Sequence, residues 1–341
     1  MGMGGNGSRG LWVVVGIFSI SLLFARFAQA GEAHPCSENV GFGPIDVQGQ
    51  SFYQMLHLNP TPAAPSTLPA GRWEARFSST WVNDWALSKG HYLIDSETLQ
   101  GTGRLNHAFT ERFQIGVEMS FLLRGGGTLD RPIEGFHQLF GLSNMDREKF
   151  PRNRQLIEFH RNDESTFVFY RSGIDLEDTV LSSQYTLTCG GRRLPAAALN
   201  LSVSLPTGRR TNLSGTGGSD VGIALLLAKR FGDFYFYING GYIWFGNRDF
   251  VGIPLKATKW TASSGVEYHP WQSTALILQN MINSGIAQDD VELSQFSDEL
   301  NIGIEHALSQ RWFLQFALIE NLFHFKNSPD FGIHVGTYYR F

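Results

Sequence analysis

Two groups of residues have the types that hydrolysis needs. His137, Ser143 and Asn144 share one stretch, and His160 lies close to Asp163. A serine nucleophile, a histidine base and an amide or carboxylate to orient it would together support acyl or lipid hydrolysis. Neither group supplies that trio at a spacing that makes it a unit, and Ser and Asn are common loop residues. A lipid hydrolase is therefore the weakest of the functional classes, and the chain is not expected to be an enzyme. No Cys/His cluster has the spacing of a zinc site. Gly215-Thr216-Gly217-Gly218 lacks the strand-then-helix setting of a phosphate loop. No metal and no cofactor is expected.

A different pattern organises the charged side chains. Arg72, Glu74 and Arg76 alternate with Trp73, Ala75 and Phe77, and the alternation continues to Trp81. Period two places the two sets on opposite faces of a strand. Phe113, Ile115, Val117, Met119, Phe121 and Leu123 form the clearest apolar face, opposite Gln114, Gly116, Glu118 and Ser120. By the same parity Arg72, Glu74, Arg76, Glu118, Glu158, His160 and Glu305 face inward. Their mixed signs suit a wet lumen filled with polar pairs and argue against a strongly ion-selective pore.

The elements that must carry these faces are strands throughout. After residue 31 the longest clean apolar run, 221–228, is far short of the roughly 20 residues of a membrane helix. Aromatics make up 13% of the chain and charged residues 17%, with 38 Gly, a balance suited to strands that alternate lipid-facing and lumen-facing residues. Short connections such as Thr110-Glu111, Gly232-Asp233, Pro270-Trp271 and Ser309-Gln310 alternate with long ones at 83–91, 124–153, 207–219, 246–255, 284–296 and 322–331. Trp73, Trp81, Trp85, Trp244, Trp260, Trp271 and Trp312 fall at or near strand ends, where interfacial girdles sit. The expectation is an all-β, transmembrane, antiparallel up-and-down β-barrel over residues 71–341. Fourteen strands are preferred. Discarding or fusing the two short candidates 154–161 and 166–171 would give twelve.

The N-terminus reads as a cleaved signal peptide. Arg9, the apolar run Leu11 to Phe24 and Ala28-Gln29-Ala30 supply its three regions over residues 1–30. These residues hold two Arg and no acid, so cleavage would move the formal charge from −4 to −6 and argues against a nucleic-acid partner. Residues 31–70 are a Pro-rich lead that cannot supply a central strand. It is read either as a plug of the lumen from the periplasmic side or as a loose tail. Cys36 lies in this lead and Cys189 at a short turn on the same rim, in an oxidising compartment. They are expected to form a disulfide that pins the lead.

The final strand, 331–341, ends in Phe341 with Tyr339 and Val335 on the same face. It resembles the closing strand of Gram-negative outer-membrane barrels, whose terminal aromatic is read by the barrel-assembly machinery. That resemblance implies outer-membrane lipid and the assembly machinery as partners, and a monomer of the cell outer membrane. Residues 124–153 are the best candidate for a functional loop. Phe136, Leu139 and Phe140 have helical spacing. A loop folded inward would bring Phe136, His137 and Phe140 into the lumen, with Arg147, Arg152 and Arg154 as a selectivity set. The alternative is a helix packed on the outer rim.

Gly135-Phe136-His137-Gln138-Leu139-Phe140-Gly141-Leu142, followed by Phe150-Pro151-Arg152-Asn153-Arg154, resembles a motif of an uncharacterised outer-membrane family, domain of unknown function 3187. Leu205-Pro206-Thr207-Gly208 is similar to a turn of that family, which also occurs in barrels associated with aromatic-compound degradation. The chain departs from the family at 173–178, where relatives carry Gly-x-Gly-Asp. The resemblance spans about 41–341 and implies a barrel that passes small or hydrophobic solutes. It assigns no functional residues. A plug like the N-terminal hatch of long-chain fatty-acid transporters, which this architecture resembles, would fit the lead. A structural or adhesive barrel with a filled lumen is the competing class.

Overall fold

The computed structural model describes residues 36–141, 146–160, 166–288, 294–321 and 327–341, apart from the side chains of Phe136, His137 and Phe140. The alternating segments form strands. β1 is Trp73–Ser88, β2 Tyr92–Thr110 and β3 Phe113–Gly125. Helix α1, Asp130–Phe140, follows. Short strands β4 (Leu156–His160), β5 (Thr166–Phe169) and β6 (Gly173–Leu176) come next. Then come β7 (Thr179–Thr188), β8 (Ala196–Leu205), β9 (Val221–Phe231) and β10 (Phe234–Trp244). A two-stranded ribbon holds β11 (Asp249–Phe250) and β12 (Ile253–Pro254). The chain ends with β13 (Thr258–Trp271), β14 (Thr274–Asn283), β15 (Ser297–Ala307), β16 (Trp312–Glu320) and β17 (Phe331–Arg340).

Among the described residues, 12 of these strands close into an antiparallel barrel, β1-β2-β3-β7-β8-β9-β10-β13-β14-β15-β16-β17. Closure is made by β1 and β17, paired from Glu74↔Arg340 to Asn83↔Phe331. The count is the alternative of twelve, not the preferred fourteen. The two short candidates form a hairpin, β4 and β5, that leans on the upper end of β2 through Tyr92↔Phe159 and Asp95↔Leu156. They extend the wall at one mouth and are not staves of the closed barrel. β6 pairs with the top of β3, in line with β7.

The outer face carries the expected apolar belt. Ile115, Val117, Met119, Phe121 and Leu123 are exposed, as are Phe236, Ile238, Leu276, Leu278, Ile302 and Ile304. Trp73, Trp271 and Trp312 mark one edge, and Trp244 and Trp260 the other. In water such a surface would be an aggregation hazard, whereas in lipid it is the solvated face. Opposite it, Glu74, Gln184, Asn239, Glu267, Gln279, Glu299, Asn301 and Glu305 are buried on the lumen side. A lumen that buries this many polar groups must hold partners for them.

Candidate functional site

The partners come from the lead. Pro residues cannot donate to a ladder, so residues 36–70 form no long element and satisfy their backbone on side chains of the wall. The lead starts at the rim that carries the short turns, where Cys36 is disulfide-bonded to Cys189. Gly41 N donates to Tyr237 Oη at 2.9 Å, and that hydroxyl donates to Glu267 at 2.7 Å. Glu267 also accepts the N–H groups of Phe42 (2.7 Å) and Gly43 (3.1 Å). A Cβ on Gly41 would stand 2.4 Å from that carboxylate, so only glycine fits there. Ile45 N and Asp46 N donate to Gln279 and Gln315, each at 3.0 Å. Ile45 fills the space left by Gly303, where a Cβ would lie 2.8 Å from its Cδ1.

Further up, Glu299 accepts the N–H groups of Gln50 and Ser51. The lead turns at a single 3-10 turn, Gln54–Leu56. Lys259 Nζ donates to Gln54 Oε1 at 2.8 Å, and Asp220 holds both the His57 ring and Leu58 N at 2.9 Å. The chain then descends. Ala63 N donates to Asn239 at 2.8 Å, Gln184 donates to the carbonyls of Ala64 and Ser66 at 3.1 Å, and Leu68 N donates to Gln114 at 3.0 Å. Gly71 N then bonds Ala108 O and the chain enters β1. Both ends of this hairpin-like excursion are anchored at the same rim.

Three layers result. At the opposite mouth the turn packs Phe52, Tyr53, Leu56 and Leu58 against Tyr92, Phe159, Ile243, Phe250 and Ile286, an apolar cap. β4 contributes to it through Ile157 and Phe159, both fully buried. Below the cap lies an amide-rich layer where side-chain atoms of Asn59, Asn283, Asn301 and Ser297 are buried without a protein partner, the setting that bound water serves.

The third layer is charged. Glu74 accepts from Arg76 Nε at 2.5 Å and from Arg340 Nε at 2.9 Å. Arg104 bonds Glu118, Thr61 Oγ1 at 2.8 Å and Asp46 Oδ1 at 2.7 Å. Arg76 Nη1 stands 3.7 Å from the other Asp46 oxygen. Arg76 and Arg340 lie over the Tyr338 ring, at 4.1 and 5.1 Å. Beside this cluster a cavity of about 130 Å³ separates the two limbs of the lead.

Glu74, Arg76, Glu118 and Glu305 of the sequence reading lie inside the barrel, and Arg72 sits at its rim. Glu305 accepts from Tyr338 Oη and Gln315 Nε2. Glu158 and His160 do not face the lumen. Register puts Ile157 and Phe159 inward beside Ile94 and Tyr92, so Glu158 and His160, 3.1 Å apart, face away from the cap. The parity was reversed because β4 belongs to a rim hairpin with no fixed phase relative to the barrel.

The described part of the long loop does not fold inward either. β1 and β2 rise beyond the lipid belt, and there their outer face is polar: Asn83, Asp95 and Glu97. The loop covers it. Glu97 accepts the N–H groups of Thr128 and Leu129 at 2.8 Å and the Trp81 indole at 2.7 Å. Arg147 bonds Asn83 and Asp330, the latter at 3.0 Å, and lies over Trp85. Arg154 bonds Asp95 at 3.1 Å. Arg152 pairs with Glu134 at the surface, and that hydrogen bond holds the Glu134 carboxyl below its ordinary pKa. The three arginines are therefore clamps on an outer rim, not a ring around a pore. The side chains of Phe136, His137 and Phe140 lie outside the described part, as do Ser143, Asn144 and Asp163.

Sequence reasoning missed Asp46, Arg104, Arg340, Glu267 and Glu299. Arg104 and Arg340 follow the lumen parity of their strands and could have been found that way. Asp46 carries no such signal.

The model of the family described as protein of unknown function (DUF3187) matches residues 20–341. The chain belongs to that family. No curated protein sequence matches it. Among solved structures this DUF3187 member is similar to the COG4313 outer membrane channel from Pseudomonas putida F1, with a TM-score of 0.54, 14% identity, and 83% of this chain and 100% of that chain covered. More distant are the NanC porin, TM-score 0.45 and 10% identity over 78% of this chain and 98% of that one, and the TodX deltaS2S3 mutant monoaromatic hydrocarbon channel, TM-score 0.42 and 11% identity over 87% and 99%. At these identities the likeness to the DUF3187 chain is one of fold: the barrel of outer-membrane channels and porins.

Proposed function

We propose that the chain is a monomeric outer-membrane channel for small solutes, hydrophobic ones included, with the lead as its internal gate. One observation carries the reading: the lead passes from the rim that carries the short turns to the opposite mouth and back, and its backbone hangs on lumen side chains instead of on a sheet. Such contacts can be exchanged one at a time, whereas the wall is held by unbroken ladders of inter-strand hydrogen bonds. The apolar cap accepts a hydrophobic solute, and the polar layers beneath would pass it on. The outer-membrane channel of similar fold supports the reading. Export by the signal peptide and insertion by the barrel-assembly machinery belong to it.

Liposome swelling with small aromatic solutes, alongside planar-bilayer recording, tests it. The intact protein is expected to pass solute with brief, small openings. A variant whose residues 40–68 are replaced by a short Gly/Ser linker is expected to stay open. An intact protein that passes nothing, beside an open linker variant, would mark a structural barrel whose lumen is permanently filled.

A further inference from the structure

We infer that the charged layer is a binding site for a small organic monoanion, a carboxylate on an apolar body, which takes the place of Asp46 against Arg104 and Arg76. The inference rests on the channel reading and names the solute class of that same lumen.

The wall side chains in ionic contact here are three guanidiniums, Arg76, Arg104 and Arg340, and two carboxylates, Glu74 and Glu118. Among the described residues Glu305 makes no ion pair with these guanidiniums and is bonded instead to Tyr338 and Gln315. The remaining carboxylate in this contact set is Asp46, which belongs to the lead. Any movement that opens the lumen at this level withdraws Asp46 and vacates Arg104 Nη1, while Arg104 Nε and Nη2 stay on Glu118. Glu118 stays on Arg104 and Glu74 on Arg76 and Arg340, so three guanidiniums then face two carboxylates and one buried positive charge is left unbalanced. A carboxylate on the solute restores the same charge-assisted hydrogen bond, and a neutral hydrocarbon does not.

The geometry supplies room for the rest of such a molecule. The cavity of about 130 Å³ is largely polar, touches Asp46, Arg76 and Arg104, and is also lined by Phe42, Pro60 and Pro62 of the lead. A dry engineered cavity of about 150 Å³ holds benzene, so the space is of the right order for one aromatic ring. The apolar body would rest on the lead, and the carboxylate would point at the wall.

Calorimetric titration of the detergent-solubilised full-length protein with benzoate at low salt tests the site, with toluene as the uncharged probe. Saturable benzoate binding is expected, and none for toluene in the charged layer. Asp46→Asn removes the internal competitor and keeps every wall group, so benzoate should bind about tenfold more tightly, and Arg104→Gln should weaken it by about the same factor. Glu118→Gln frees Arg104 from its other acid and should also tighten binding, which covers the case that Asp46→Asn misfolds. Heat-modifiable mobility on gels reports folding of each variant. Benzoate affinity that is unchanged in Asp46→Asn and Glu118→Gln, or equalled by toluene, overturns the site. Binding that follows this pattern in a protein that passes no solute would keep the site and remove the channel reading.

Discussion

Glu299 on β15 accepts the backbone N–H of Gln50 with both carboxylate oxygens, at 2.8 and 2.9 Å, and that of Ser51 at 3.2 Å. One wall side chain thus substitutes for the strand partner that the lead does not have. Glu299→Ala leaves two buried donors without an acceptor, at a cost of about 1–3 kcal/mol each. The barrel ladder does not use this side chain and should persist. Hydrogen exchange over 48–56 is expected to rise at least tenfold while β14 and β15 stay protected, and Glu299→Gln should recover most of the protection. Equal exchange in Glu299→Ala and the parent would show that the lead is held elsewhere.

The lead also shows what a sequence can and cannot reveal here. Strand phase, belt and closure were legible because Ile115 to Leu123 or Trp73 to Trp81 repeat with period two, and lipid enforces that period. Strand number was not, because 154–161 and 166–171 carry strand-like composition and differ from spanning strands in where they pair. Glu267, Gln279 and Glu299 read as generic lumen polars. What makes them specific is the backbone of residues separated from them by more than 200 positions, such as Phe42, Ile45 and Gln50. Non-local pairing of a proline-rich segment with side chains leaves no periodic trace. Asp46 was invisible for the same reason.

Cys36 and Cys189 tie the upstream end of that segment to the turn between β7 and β8. Asn39 adds a side-chain bond to Cys189 O at 3.0 Å, and Lys229 Nζ donates to Asn39 Oδ1 at 2.9 Å. Reduction removes the covalent tether and leaves these contacts. The expected outcome is a graded loosening: faster proteolysis within 36–45 under reductant, with little change at 48–58. Cys189→Ser should reproduce it without reductant. If either treatment releases the whole segment to protease, the disulfide and not the side-chain ladder holds the lead.

The loop clamped by Arg147 leads to a prediction about conductance. Its described anchors, Glu97, Asn83 and Asp95, lie on the outer face of β1 and β2, so removing residues 133–145 should leave single-channel conductance within about 20% of the parent, since pore charge acts from the lumen. Arg147→Ala should loosen the loop by breaking its contacts to Asn83 and Asp330, again without a change in conductance. A change of twofold or more in the deletion would place part of the loop in the permeation path after all.

Phe341 closes the barrel in two separable ways. Its N–H and carbonyl exchange bonds with Trp73, both at 2.9 Å, and its ring lies on the lipid face with Tyr339 and Val335. Deleting the residue removes both features. Phe341→Ala keeps the backbone pair and removes the ring, which is the part that the assembly machinery is expected to read. If the ring is the signal, deletion and Phe341→Ala should reduce the membrane-inserted, heat-modifiable fraction to a similar extent. Protein of either variant refolded into detergent should still bind benzoate like the parent, because the charged layer lies inside the barrel. If only the deletion fails, the closing pair of backbone bonds is what assembly needs. Normal insertion of both variants would remove the C-terminal aromatic from the assembly mechanism.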